Sequence, residues 1–243
     1  LNATKAKRTM RHLKSGLMIA AALMLAALPA PAFAGAIHKD VPEKVDPDKR
    51  YLIYLHGAWL ESHALSEPHP KRGVYQYEKI LAELAARDFE VISELRVGKP
   101  NPRKYTRTRV IPQINALLEK GVPANRITVV GFSKGGTMTL VLSAQAGKSG
   151  LNIVNLAGCG KGRFRAAYDS FLKNDASKMQ GRMLSLYDPA DLIAGTCEEA
   201  AKLGARLKMT EVALKAGKGH ATFYSPNPAW LDRIASWSAA AGK

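Results

Sequence analysis

Ile127-Thr128-Val129-Val130-Gly131-Phe132-Ser133-Lys134-Gly135-Gly136 is the stretch that decides the fold. Its first four residues form a largely β-branched run, which favours a buried strand. The run breaks at the glycines, and the long apolar segment 137–146 then reads as a helix. A serine held between strand and helix sits on a sharp turn in a strained backbone. The residues two before and two after it must then lack a side chain, as Gly131 and Gly135 do. Lys134 would open the helix and offer its backbone N–H to an oxyanion. This is the pattern of a nucleophile elbow, with Ser133 as the nucleophile.

The N-terminal residues read as a leader. Met10-Arg11-His12-Leu13-Lys14 is a basic segment, 17–28 an apolar one, and Ala32-Phe33-Ala34 a small-x-small cleavage site before Gly35. Twelve apolar residues are too few to cross about 30 Å of hydrocarbon as a helix, so a cleaved signal after Ala34 is expected, with no stable membrane span. Export to the periplasm or the medium follows, and Met10 is the expected initiator. The sequence from Gly35 onward suits one domain with a single core, preceded by a polar arm over 35–49.

The chain carries 36 Lys and Arg against 20 Asp and Glu, a formal net charge of +16. Its leader holds five of those cations and no acid, so the remainder is still basic. The basic residues are scattered and no zinc-finger or RNA-binding motif appears, so no specific nucleic-acid partner is expected. His63 and His69 lie in a loop over 60–73, but no carboxylate or cysteine pattern completes a ligand set, and neither metal nor cofactor is expected. Two cysteines, Cys159 and Cys197, match no zinc spacing.

Strands and helices alternate along the rest. Tyr51-Leu52-Ile53-Tyr54-Leu55 is apolar throughout and reads as a strand buried on both faces. Tyr77, Ile80, Leu81, Leu84 and Ala85 have helical spacing. Further strands are expected over 89–95, 152–156, 183–187 and 211–214. Helices are expected from near Pro112 to Gly121 and around Trp230, Ile234 and Trp237. Such alternation points to a parallel α/β sheet. Four sites punctuate it in order: His56-Gly57-Ala58-Trp59, the elbow, Asp188-Pro189-Ala190-Asp191, and Gly217-Lys218-Gly219-His220.

These four sites together resemble the α/β-hydrolase superfamily, most nearly its small carboxylesterase and dienelactone-hydrolase-like members, over residues 50–237. The resemblance implies a mainly parallel central sheet flanked by helices, without a large lid. The early chain is short, so about six strands are expected. It also implies a triad of Ser133, Asp191 and His220, whose chain order is the superfamily's. Asp191, followed by Leu192-Ile193, suits the acid's position better than Asp188. The backbone N–H groups of Ala58 and Lys134 are the implied oxyanion donors. The strands preceding the two cysteines are neighbours in the family's order, which implies a Cys159–Cys197 bridge. The implied activity is hydrolysis of a small ester or thioester. A peptidase or amidase, or a non-catalytic ligand-binding member, would share the same outline. Trp59, Arg96 and Lys99 are candidate substrate contacts. The two cations either stand at the rim of the site and favour an anionic acyl substrate, or lie solvated in water.

Overall fold

The computed structural model describes residues 34–145 and 150–240. Apart from Ala34, the leader expected over 1–34 lies outside the described residues. Seven strands form the main sheet: β1 (Ile37–His38), β2 (Arg50–Leu55), β3 (Phe89–Ile92), β4 (Ile127–Phe132), β5 (Asn152–Leu156), β6 (Gln180–Tyr187) and β7 (Arg206–Ala213). They lie in the order β1-β3-β2-β4-β5-β6-β7, and every neighbouring pair is parallel. Parallel strands need crossovers. These are supplied by α1 (Tyr77–Ala85), α2 (Ile111–Glu119), α3 (Lys134–Gln145), α4 (Arg165–Asn174) and α5 (Glu198–Leu203), with α6 (Pro228–Ala239) closing the chain. Among the described residues no helix is long and apolar enough to cross a membrane.

The pleat of β2 shows how the core divides. Leu52 and Tyr54 face one way, among Ile80 and Leu84 of α1 and Trp230 and Ile234 of α6. Tyr51, Ile53 and Leu55 face the other way, among Ile114 and Leu117 of α2, Leu140 of α3 and Phe171 of α4. A strand covered on both faces reads as a continuous apolar run. All five apolar positions expected on α1 are buried.

Three sequence expectations need correction. The arm is not free of the fold: Ile37 and His38 pair with Val91 and Ile92, and the Gly35 N–H donates to the Ala85 carbonyl at 2.9 Å. This two-residue strand is the seventh in a sheet expected to have about six. Second, β3 stops at Ile92 rather than running to 95. Third, β7 begins at Arg206 rather than at 211. The helix expected from near Pro112 is present as α2, and it is preceded by a helical turn at Pro102–Tyr105 and a π-helical stretch at Thr106–Val110. Asn101 caps that turn, its side chain accepting from the Arg103 and Lys104 N–H groups.

The parallel strands send their carboxyl ends to one edge, where ligands meet sheets of this kind. The loops after β2, β4, β5 and β6 converge there. A short antiparallel ladder ties two of them together, pairing Cys159 with Gly195 and Gly160 with Ala194. The Cys159–Cys197 disulfide reinforces it, with Cα atoms 5.4 Å apart.

Candidate active site

Ser133 joins β4 to α3 with a φ of +55°. An L-residue held there costs about 1–2 kcal/mol, so neighbouring contacts must enforce it. The Ser133 N–H donates to the Leu156 carbonyl of β5 at 2.8 Å, and its carbonyl accepts from the Thr137 N–H at 2.9 Å. The flanking glycines are required for space. A Cβ on Gly131 would strike the Gly135 carbonyl, and one on Gly135 would strike that of Leu55. The turn therefore closes against β2 and β5 only as the glycines allow.

His220 reaches Ser133 from a short 3-10 turn, Gly219–Phe223. Its Nε2 lies 2.8 Å from Ser133 Oγ, and its Nδ1 lies 2.6 Å from Asp191 Oδ2. A carboxylate only accepts. Nδ1 therefore carries the proton, and Nε2 is left to accept from the serine hydroxyl. The second Asp191 oxygen accepts from the Ile193 N–H at 2.9 Å and the Ala194 N–H at 3.2 Å, which fixes the carboxylate. The imidazole lies against Phe132, ring centroids 4.8 Å apart. The structure thus brings together the three side chains expected from sequence.

Asp188 is a residue whose part the sequence reading missed. It is almost wholly buried. One oxygen accepts from the Ala190 N–H at 3.0 Å. The other accepts from the Lys218 and Gly219 N–H groups and from Thr222 Oγ1 at 2.8 Å. Burial alone would raise its pKa, but these four donors hold it below the usual carboxylate range. Asp188 thereby fastens the His220 turn to the end of β6. The Asp-Pro pair announces a turn, but nothing local announces those partners.

Ala58 and Lys134 both line the cleft in front of Ser133. Each is the first residue of a helical element, Ala58–Glu61 and α3, where backbone N–H groups lack partners within the helix. The cleft has a volume of about 270 Å³. Leu140, Phe164, Ala167, Tyr168, Phe171 and Ile193 form its apolar wall, largely from α4 and its approach.

The three candidate substrate contacts do not line this cleft. Trp59 stacks on His63 with ring centroids 3.4 Å apart, and its indole N–H donates to the Glu67 carbonyl. Lys99 is exposed with φ of +52°. Arg96 is not at a solvated rim. Its side chain is 1% exposed and lies 3.4 Å from Glu61 Oε1. Because β3 ends three residues early, the chain turns inward and carries this guanidinium beneath the loop after β2. Glu61, which no sequence signal marks, is a second missed residue. Its side chain is 0% exposed, and Oε2 lies 2.6 Å from Lys134 Nζ.

No family model and no curated protein matches the chain. Solved structures do. The structure of 2,6-dihydroxy-pseudo-oxynicotine hydrolase superposes with a TM-score of 0.56 at 16% identity, over 84% of this chain and 64% of that one. The chain therefore spans less than two thirds of that protein's length. SOBER1 of Arabidopsis thaliana superposes with a TM-score of 0.50 at 15% identity, covering 80% of this chain and 99% of its own. An esterase of Rhizomucor miehei gives 0.51 at 15%, covering 80% and 74%. At such identities the likeness is one of architecture. The chain has the α/β-hydrolase fold.

Proposed function

We propose that this chain is a serine hydrolase acting on small, uncharged acyl esters or thioesters. The observation that carries the reading is the unbroken relay from Ser133 Oγ through His220 to Asp191, set on an elbow with positive φ. Ser133 Oγ attacks the carbonyl carbon while its proton passes to His220 Nε2. Asp191 holds the tautomer and stabilises the imidazolium. The carbonyl oxygen becomes an oxyanion facing the Ala58 and Lys134 N–H groups, donors worth a few kcal/mol each. Collapse of the tetrahedral species expels the alcohol or thiol, which takes the proton from His220. Water then attacks the acyl-serine, with His220 again as base, and releases the acid.

The apolar wall around Phe171 and Tyr168 supports an uncharged acyl group, and the modest volume of the cleft supports a short chain or a small ring. Arg96, buried against Glu61, is not free to meet an anionic substrate. The names of the solved neighbours, a hydrolase and an esterase among them, agree in class. Export is part of the proposal. The leader motivates it, and the Cys159–Cys197 bridge suits an oxidising compartment. Protein recovered outside the cytoplasm should begin at Gly35.

The deciding experiment is labelling with a fluorophosphonate, followed by turnover of p-nitrophenyl acetate, butyrate, octanoate and a succinate half-ester. Ser133 should carry the label in the wild type and lose it in Ser133→Ala, with the neutral short esters turned over fastest. Absence of label and of turnover would overturn the hydrolase reading. A preference for the half-ester would overturn the substrate class.

A further inference from the structure

Behind the cleft lies a run of buried charge that the relay does not use. Glu61 is the last residue of the 3-10 turn that begins at Ala58. Its two oxygens face two cations: Lys134 Nζ at 2.6 Å and Arg96 Nε at 3.4 Å. Lys134 is the residue directly after Ser133, so the Glu61–Lys134 pair spans from the loop after β2 to the first turn of α3. Those are the two segments that bring Ala58 and Lys134, the proposed oxyanion donors, to the cleft.

Arg96 braces the same loop from below. Its backbone N–H donates to His56 Nε2 at 2.8 Å, and its Nη2 donates to the His56 carbonyl. His56 Nδ1 in turn lies 2.7 Å from the Gly57 carbonyl. With Nε2 accepting, Nδ1 must carry the proton, so His56 is neutral in a single tautomer. Burial first, and the charge of Arg96 second, push its pKa down to about 3, which agrees with that assignment. The Gly98 N–H closes the set on the Glu61 carbonyl at 3.3 Å.

Stability alone does not account for such a group, because a buried ion pair is often no better than a well-packed apolar one. Its location supplies another reason. One carboxylate between two cations leaves excess positive charge on the side of the elbow where an oxyanion would form. Both oxyanion donors are tethered to that carboxylate, one through its own helical turn and one through the lysine side chain.

We infer that Glu61, through Lys134 and Arg96, is the positioning residue that sets the distance between the Ala58 and Lys134 oxyanion donors. The inference rests on the hydrolase reading above. It predicts a defect expressed in the tetrahedral state rather than in substrate binding. For Glu61→Gln and for Lys134→Met, kcat on a neutral p-nitrophenyl ester should fall by about tenfold to a hundredfold, with KM within about threefold. Affinity for an alkylboronic acid, which forms a tetrahedral adduct on serine, should fall in proportion to kcat. Lys134→Arg, which keeps the charge, should recover most of both. Lys134 is a fifth exposed, so its variants carry the test should Glu61→Gln not fold.

Unchanged kcat and boronate affinity with a lowered melting temperature would make the group a structural ion pair and overturn the inference. A loss confined to KM would overturn it as well. A wild type that neither labels at Ser133 nor turns over any ester would bring down the hydrolase reading and this inference together. Active wild type with fully active variants would remove the inference alone.

Discussion

Asp188 and Asp191 stand three residues apart, both about 1% exposed, and their oxygens face different partners. Asp191 meets the imidazole, whereas Asp188 meets backbone donors of the His220 turn and the Thr222 hydroxyl. The two carboxylates should therefore fail differently. Asp191→Asn offers an amide where the imidazole N–H needs an acceptor, so kcat should fall by about a thousandfold or more while the melting temperature holds. Asp188→Asn puts amide hydrogens against the Lys218 and Gly219 N–H groups. It should cost about 1–3 kcal/mol of stability and lower activity through a loosened turn. Urea unfolding beside steady-state kinetics on both variants separates these outcomes. A fully stable but inactive Asp188→Asn would mean that the relay's acid has been misassigned.

At the scale of elements, legibility followed the length and the polarity of each segment. The sheet's central strands showed as apolar runs and the elbow as a β-branched run broken by glycines, whereas β7 mixes charged with apolar residues and only its end, near 211–214, was expected. Three features left too little signal. Strand β1 is two residues long within a polar arm, shorter than any period can register. The helical turn at Pro102–Tyr105 carried a signature, Asn101 before Pro102, that a dense run of arginines and lysines obscured. Glu61 is a single acid whose partners, Arg96 and Lys134, lie 35 and 73 residues away, and no local pattern encodes such a meeting. The bridge between Cys159 and Cys197 depended on strand adjacency, which the family's order supplied. It closes a separation of 38 residues and, on the chain-entropy model, stabilises by about 4 kcal/mol less any strain. It also pins the ladder that follows Asp191 in the chain. The double variant Cys159→Ser, Cys197→Ser should lose about 2–4 kcal/mol of unfolding free energy. An unchanged urea midpoint would show that the ladder alone holds this corner.

Across the whole molecule, the cations crowd most densely over residues 96–109, and three of the six there are paired with acids. Arg96 meets Glu61, Arg103 meets Asp175, and Arg109 meets both Glu94 and Asp40. The Arg103 and Arg109 contacts carry a common sign in their response to acid. The hydrogen bond from Arg103 holds Asp175 below its usual range. Burial pushes Asp40 and Glu94 upward, but hydrogen bonds from Gln113 and Val41 to the first, and from Arg109 and Tyr105 to the second, leave both lowered. Asp188 is lowered in the same sense. Groups depressed in the folded state add stability above their unfolded pKa, near 4, and lose it as pH falls through the folded value. The Asp40 and Glu94 pairs are partly exposed, so solvent screening keeps their share small. His56 acts over a higher window. It is held neutral down to about pH 3 in the fold but takes a proton near 6.5 when unfolded. Between those values the unfolded chain binds the extra proton, so stability must fall as pH drops below about 6.5. Integrated from pH 7 to pH 4, this one residue accounts for roughly 3 kcal/mol. Urea unfolding at pH 7, 6, 5 and 4 should show that decline in the wild type. In His56→Gln, whose amide can serve both partners without titrating, the decline should shrink to the carboxylate part below pH 5. A wild-type profile flat from pH 7 to pH 4, or a slope that persists undiminished in His56→Gln, would place the acid response elsewhere than beneath the loop that carries Ala58.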